Sequence, residues 1–244
     1  MSQWLFDLGN SRFKFAPLQG DRAGDVQAWA HGAEAMDAGL LAALPTGEVA
    51  YVASVASAAL TARMLQVLGE RFGEVRVART AAECAGVRIA YAEPSRFGVD
   101  RFLALLGVRG EGPVLVAGVG TALTIDVLDA DGLHRGGRIS ASPTTMREAL
   151  HTRAAQLPAQ GGEYAEFAND TADALASGCD GAAVALVERS LAQAEALLQA
   201  PVRLVLHGGG APALLPLLPQ AMHRPPLVLD GLATWAGYHP APRG

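Results

Sequence analysis

The run VLVAGVGTALTIDVLDADG, residues 114–132, decides the fold. A short apolar strand, Val114 to Ala117, meets a glycine-bearing turn; a second strand runs from Thr121 to Leu128; Asp131-Gly132 turns the chain again, and a third strand ends at Ile139. Short apolar runs punctuated by glycine turns mark a strand meander. The N-terminus carries the same plan, with strands at Trp4 to Phe6, Phe13 to Leu18 and Val26 to Ala30 and a Gly9-Asn10 turn between the first two. Beyond it the spacing predicts a buried strand at Val49 to Ala53. A helix over Ser54 to Phe72 follows, with Val55, Leu60, Met64, Leu65 and Leu68 on one side and Gly73 after its end, then a strand at Val75 to Ala78 and a helix over Arg96 to Val108.

In the second half a helix from Pro143 to Leu157 is capped by Ser142, and a helical stretch from Thr171 to Ala200 is interrupted at Gly178 and Gly181. A strand at Val202 to Leu206, the tight turn Gly208-Gly209-Gly210, a short helix at Ala213 to Leu218, a last strand at Leu227 to Leu229 and a C-terminal helix complete the pattern. The expectation is an α/β protein of two duplicated lobes, residues 1–110 and 111–244, each a mixed sheet that opens with a three-stranded meander and is flanked by helices. Paired lobes leave a cleft, a common place for a small ligand.

Composition narrows the function. The formal charge of -5, from 19 basic and 24 acidic residues in 244, offers no basic footprint for nucleic acid and no polybasic patch for a membrane surface. Cys84 and Cys179 stand far apart without metal-ligand spacing, and no apolar run is long enough for a signal peptide or a membrane span, so a cytoplasmic protein is expected. Histidines show no ligand spacing; His134, His151 and His223 read as surface or helix-end residues.

Four segments carry chemistry. In Asp7-Leu8-Gly9-Asn10-Ser11-Arg12-Phe13-Lys14 a glycine turn lets backbone N–H groups approach phosphate oxygens, the side chains add donors, and an acid at the strand end can hold hydrated magnesium. Alone, that motif is also an ordinary hairpin turn. Gly118-Val119-Gly120-Thr121 repeats it in the second lobe, the pairing needed to grip a triphosphate from two sides. Gly98-Val99-Asp100-Arg101 opens an apolar helix, putting a candidate base beside a candidate anion-binding guanidinium, though a plain helix-start carboxylate with a solvated arginine has the same pattern. His207-Gly208-Gly209-Gly210 joins a strand to a helix and could lie against adenosine; it lacks the GxGxxG spacing, and the chain has no GxxxxGK[ST] loop.

Together, DLGNSRFKFA, YAEPSRFGVDR, GVGTALTID, GGRISASPTTMREAL, NDTADALASG and LHGGGA, in this order over nearly the whole chain, resemble the type III pantothenate kinases of the sugar kinase and actin superfamily. The resemblance implies two actin-like (ribonuclease H-like) lobes and ATP-dependent phosphorylation of pantothenate at its 4'-hydroxyl, the first step of coenzyme A biosynthesis. It implies ATP contacts from Asp7, Leu8, Gly9, Asn10, Ser11, Arg12, Phe13, Lys14 and Thr121, with Asp7 near Mg2+ through water. Pantothenate contacts are implied for Tyr91, Gly98, Val99, Asp100, Arg101 and Thr171, with Asp100 as general base. A homodimer and a monovalent cation, K+ or NH4+, are implied as well. Two departures stand out: Gly118 occupies the position of an acid that commonly binds the monovalent cation, and Ile139-Ser140-Ala141-Ser142-Pro143 replaces a common Pro-Gly turn. Alternatives are another small-molecule kinase of the superfamily or a non-catalytic nucleotide-binding regulator.

Overall fold

A computed structural model describes residues 2–30 and 38–239. Strands β1 (Gln3–Leu8) and β2 (Arg12–Gln19) pair antiparallel, with Asp7 opposite Lys14 and Leu8 opposite Phe13. Alternation along β2 sends Phe13 and Phe15 to the face that also holds Phe6, whose ring lies 5.9 Å from each of theirs and meets Phe72 edge-on at 5.5 Å. Burying each such ring stabilises the lobe by about 1.5–3 kcal/mol. Short strands β3 (Arg22–Ala23) and β4 (Gln27–Ala30) both pair with β2.

Helix α1 (Ala38–Ala43) leads into β5 (Gly47–Ser54), parallel to β1. Helix α2 (Ala58–Gly69) starts later than its apolar spacing suggests, because Ser54 still belongs to β5 and the Ser57 hydroxyl caps the helix by accepting from Leu60 N. Phe72 does not end that helix; it opens β6 (Phe72–Val77), parallel to β5. The first sheet runs β3-β2-β1-β5-β6 with β4 also on β2, and a small hairpin of β7 (Glu83–Cys84) and β8 (Val87–Arg88) follows. The helix expected over Arg96 to Val108 is split into a 3-10 turn at Pro94–Arg96 and α3 (Val99–Gly107). Phe97 and Gly98 are extended between them, and the Phe97 carbonyl accepts from the Thr80 hydroxyl at 2.7 Å.

The second sheet repeats the scheme. β9 (Val114–Val119), β10 (Ala122–Leu128) and β11 (His134–Ala141) form the meander, and β12 (Arg203–His207) and β13 (Met222–His223) extend it in parallel, in the order β11-β10-β9-β12-β13. Ser142 caps α4 (Pro143–Arg153) by accepting from Thr145 N. Helix α5 (Thr171–Leu198) is continuous through Gly178 and Gly181. Two helical glycines cost about 1 kcal/mol each, which the buried stripe Ala176, Cys179, Ala183, Val187 and Ala194 outweighs. A short α6 (Ala211–Leu214) and a 3-10 turn at Leu215–Leu217 precede β13.

Leu227 to Leu229 form no strand; they begin α7 (Leu227–Tyr238). This helix is buried from Leu227 to Leu229 and again from Gly231 to Ala236, so apolar residues surround it and no helical period is visible in the sequence. It packs on α3 through glycines: a Cβ on Gly231 would stand 1.8 Å from the Leu103 carbonyl oxygen, and one on Gly107 would stand 2.7 Å from that of Leu227. Contacts therefore group the described residues into one compact unit within Met1–Gly110, Asp131–Leu133 and Pro226–Gly244 and another within Glu111–Ala130 and His134–Pro225. A second lobe running from 111 to the C-terminus gives up α7 to the first unit, where α3 supplies its apolar partner. It also gives up the Asp131-Gly132 turn, whose Gly132 carbonyl accepts from Arg88 N at 2.9 Å. No helix among the described residues is long and apolar enough to cross a membrane.

Candidate active site

In the first unit the β1–β2 turn closes with Gly9 N donating to the Arg12 carbonyl at 3.0 Å, leaving Asn10, Ser11 and Arg12 exposed. A Cβ on Gly9 would stand 3.1 Å from that same oxygen, so the tightness of the turn favours glycine. Leu8 and Phe13 are buried beneath the turn as core residues and hold its two ends in register. Asp7 is only 9 % exposed. Burial pushes its carboxyl up from 3.8 to about 6; the Lys14 ammonium on the neighbouring strand opposes the rise, and the Asp100 charge adds to it. Asp7, Lys14 and Asp100 are thus gathered into one electrostatic neighbourhood.

Asp100 sits in the first turn of α3, where unpaired backbone N–H groups favour a carboxylate. Its side chain folds over Gly98: a Cβ there would meet Asp100 Oδ1 at 2.7 Å. Val99 begins the helix, half-buried. Arg101 is 6 % exposed, and its guanidinium lies 4.5 Å from the centre of the Phe97 ring. Tyr91 packs against the same Phe97 ring, with centroids 5.0 Å apart and the planes tilted by 58°. The segment YAEPSRFGVDR therefore builds a cluster in which Tyr91 and Arg101 both pack on Phe97, beside the Asp100 carboxylate. Phe97 is the residue that sequence reasoning passed over. Its signal was an aromatic residue one place before the glycine of a charged helix start, which reads equally well as core.

In the second unit the shorter β9–β10 turn closes with Gly120 N donating to the Ala122 carbonyl at 2.9 Å. Thr121 is exposed at its tip, and its carbonyl accepts from the Thr145 hydroxyl at 2.6 Å, tying the turn to the start of α4. Gly208, with φ +95°, presses the turn after β12 onto β9: a Cβ there would lie 2.4 Å from the Val119 carbonyl, which accepts from Gly210 N at 2.9 Å. Thr171 is exposed at the start of α5, after Asp170, whose carboxylate caps the helix by accepting from Ala172 N and Asp173 N. Those backbone bonds hold the Asp170 carboxyl below its ordinary value. A cavity of about 430 Å³ opens there, lined by Leu157, Asn169, Asp170, Thr171 and Leu175 among others.

His134 is not at the surface. It is fully buried, its Nε2 2.9 Å from Asp126 Oδ1, because the β10–β11 register slips just after Asp126 and turns the histidine inward. That makes the final acid of GVGTALTID a partner of the sheet core.

The family model described as type III pantothenate kinase matches residues 4–193. A type III pantothenate kinase of Xanthomonas axonopodis pv. citri is 77 % identical over 236 residues, covering 97 % of this chain and 98 % of that protein. One from Xanthomonas campestris pv. campestris is 76 % identical over 242 residues, covering 99 % and 100 %. Among solved structures, a protein from Campylobacter jejuni assigned to the Baf family of transcriptional activators superposes with TM-score 0.65 at 18 % identity, covering 97 % of this chain and 98 % of that one. A protein from Sinorhizobium meliloti described as a 2-dehydro-3-deoxygalactonokinase gives 0.61 at 18 % identity, covering 99 % and 98 %. These structural likenesses establish a shared fold of two duplicated, helix-flanked mixed sheets.

Proposed function

Since the chain belongs to the type III pantothenate kinase family, we propose that it transfers the γ-phosphoryl group of ATP to the 4'-hydroxyl of pantothenate with Asp100 as general base. The observation that carries the assignment of the base is the position of Asp100, in the first turn of α3, within the field of Asp7 and next to the stacked Arg101. The hydroxyl oxygen attacks the γ-phosphorus, the bond to the bridging oxygen breaks, ADP leaves, and the hydroxyl proton passes to the Asp100 carboxylate. Phosphoryl transfer asks mainly for positioning and charge neutralisation. In this reading the first turn holds the phosphates through the backbone of Leu8 to Phe13 and the side chains of Asn10, Ser11, Arg12 and Lys14, and Thr121 holds them from the second. Tyr91, Gly98, Val99, Arg101 and Thr171 contact pantothenate, and Arg101 is aimed at an anionic group by the face of Phe97.

The residues present fit a magnesium ion. With a pKa of about 6 the Asp7 carboxyl is mostly ionised at pH 7, and a hard cation that keeps waters and takes phosphate oxygens needs only one or two carboxylates. When bound, the ion neutralises charge on the β- and γ-phosphates. No cluster of three metal-ligating side chains exists among the described residues. A monovalent cation at the second turn fits less well, because Gly118 brings no side-chain carboxylate. Homodimerisation is proposed on the family resemblance; Ile139, 65 % exposed, and Phe167, 99 % exposed, are apolar side chains that a second copy would cover.

The decisive measurement is ADP release with and without pantothenate. Asp100→Asn is expected to lower turnover by about 100-fold or more while leaving the unfolding midpoint unchanged. Turnover near that of the parent protein would remove Asp100 from the role of base.

A further inference from the structure

Asp7 and Gly118 occupy equivalent places. Each is next to last in the first strand of its meander, β1 and β9, ahead of a glycine turn. Asp7 has Lys14 and Ala53 as its partners on the flanking strands; Gly118 has Thr124 on β10 and His207 on β12. Register partners put their side chains on the same face of a sheet, so Thr124 and His207 flank the bare backbone of Gly118. A Cβ built on Gly118 would stand 2.8 Å from His207 Nε2, 2.8 Å from Thr124 Oγ1 and 3.1 Å from His207 Cε1. The imidazole and the hydroxyl already fill the room that a side chain at 118 needs.

The backbone places the root of the His207 side chain beside Gly118. His207 is the last residue of β12, and the positive φ of Gly208 folds the following turn against Val119. Gly210 N, bonded to the Val119 carbonyl at 2.9 Å, fixes that turn. An acid cannot enter at 118 without displacing the ring. Potassium favours several oxygen donors, whereas imidazole nitrogen suits transition metals, so a row whose side chains offer one hydroxyl, one imidazole and no carboxylate is a poor potassium site.

We propose that this chain works without a monovalent cation at its second phosphate loop, and that the His207 imidazole, standing over Gly118, supplies the polar contact to the nucleotide there. The proposal rests on the kinase reading above for its ligand. A ring nitrogen that carries a proton donates to a phosphate oxygen, and a donor built into the sheet needs no ion to be recruited.

Two measurements test it on the intact protein at constant ionic strength, in potassium, ammonium, sodium and choline chloride. ATP turnover with pantothenate is expected to agree among the four salts within about twofold, and a rise of about tenfold or more with potassium or ammonium overturns the proposal. Calorimetric binding of a magnesium complex of a non-hydrolysable ATP analogue, expected to give the same Kd in potassium and choline, decides the question without catalysis. Absence of pantothenate-dependent turnover in every salt would sink the kinase reading alone, while tighter analogue binding in potassium would sink this one alone. His207→Ala is expected to weaken analogue binding by about tenfold, the usual loss of a hydrogen bond to a charged group, and His207→Gln to restore part of it. An unchanged Kd in His207→Ala would show that the ring only fills space.

Discussion

Asp7 stands next to last in β1 with Lys14 and Ala53 as its ladder partners, whereas Gly118 stands next to last in β9 with Thr124 and His207 as its own. The first unit therefore presents buried charge at the end of its sheet: Asp7, with Asp100 in reach, and Arg101 held by Phe97. The second presents an exposed threonine, a glycine and an imidazole. One duplicated scaffold has kept its turns and divided its chemistry. In the proposed reaction the charged end would serve metal and acceptor, and the neutral end the nucleotide oxygen atoms.

Such a division has a cost that can be measured. Exchanging Asp7 for asparagine is expected to lower magnesium-dependent turnover by about a hundredfold or more, since a metal contributes several kcal/mol of charge stabilisation. The same variant should be more stable without metal. The carboxyl is raised from 3.8 to about 6, so between those values the folded protein holds a proton that the unfolded chain has released, and stability falls as pH rises through this window. At about 1.4 kcal/mol per pH unit the ceiling is about 3 kcal/mol. Urea unfolding in chelator should show Asp7→Asn gaining most above pH 6, with the gain vanishing towards pH 4. A pH-independent difference, or a less stable variant at pH 8, would mean that the buried charge at the end of β1 is not strained.

Within the charged unit the cluster of Tyr91, Phe97 and Arg101 makes a smaller claim. A desolvated cation over an aromatic face is worth about 2 kcal/mol. Phe97→Leu keeps an apolar side chain but loses the face, and is expected to raise KM for pantothenate about tenfold with kcat within about twofold. Phe97→Tyr should keep KM near the parent value. If both variants lose kcat instead, Phe97 supports the position of Asp100 and not the acceptor grip of Arg101.

The meanders and the two glycine turns were legible because strand alternation and turn chemistry are local. The C-terminal helix was legible as well, but its start at Leu227 was not. Its residues from Leu227 to Leu229 and from Gly231 to Ala236 are buried on every side, so no period distinguishes it from a strand, and its packing on α3 through Gly231 is a long-range fact. His134 was misread for a related reason: a register slip after Asp126, invisible in composition, turns it inward. At the site, Asp7, Asp100 and Thr121 follow from motif chemistry, while the pairing of His207 with Gly118 depends on which strand lies beside β9.

The smallest effect is expected at Thr121, where it discriminates best between a shared and a divided grip. Backbone bonds hold the turn: Gly120 N closes it onto Ala122, and the Thr145 hydroxyl holds the Thr121 carbonyl at 2.6 Å. Thr121→Val therefore removes one hydroxyl and leaves the backbone N–H groups in place. At an exposed position this should raise KM for ATP about threefold to tenfold, the low end for a hydrogen bond to a charged group, and Thr121→Ser should recover it. A loss as large as that of Asp7→Asn would make the two turns equal partners and break the division between them. No change in either variant would leave the second grip to backbone and His207.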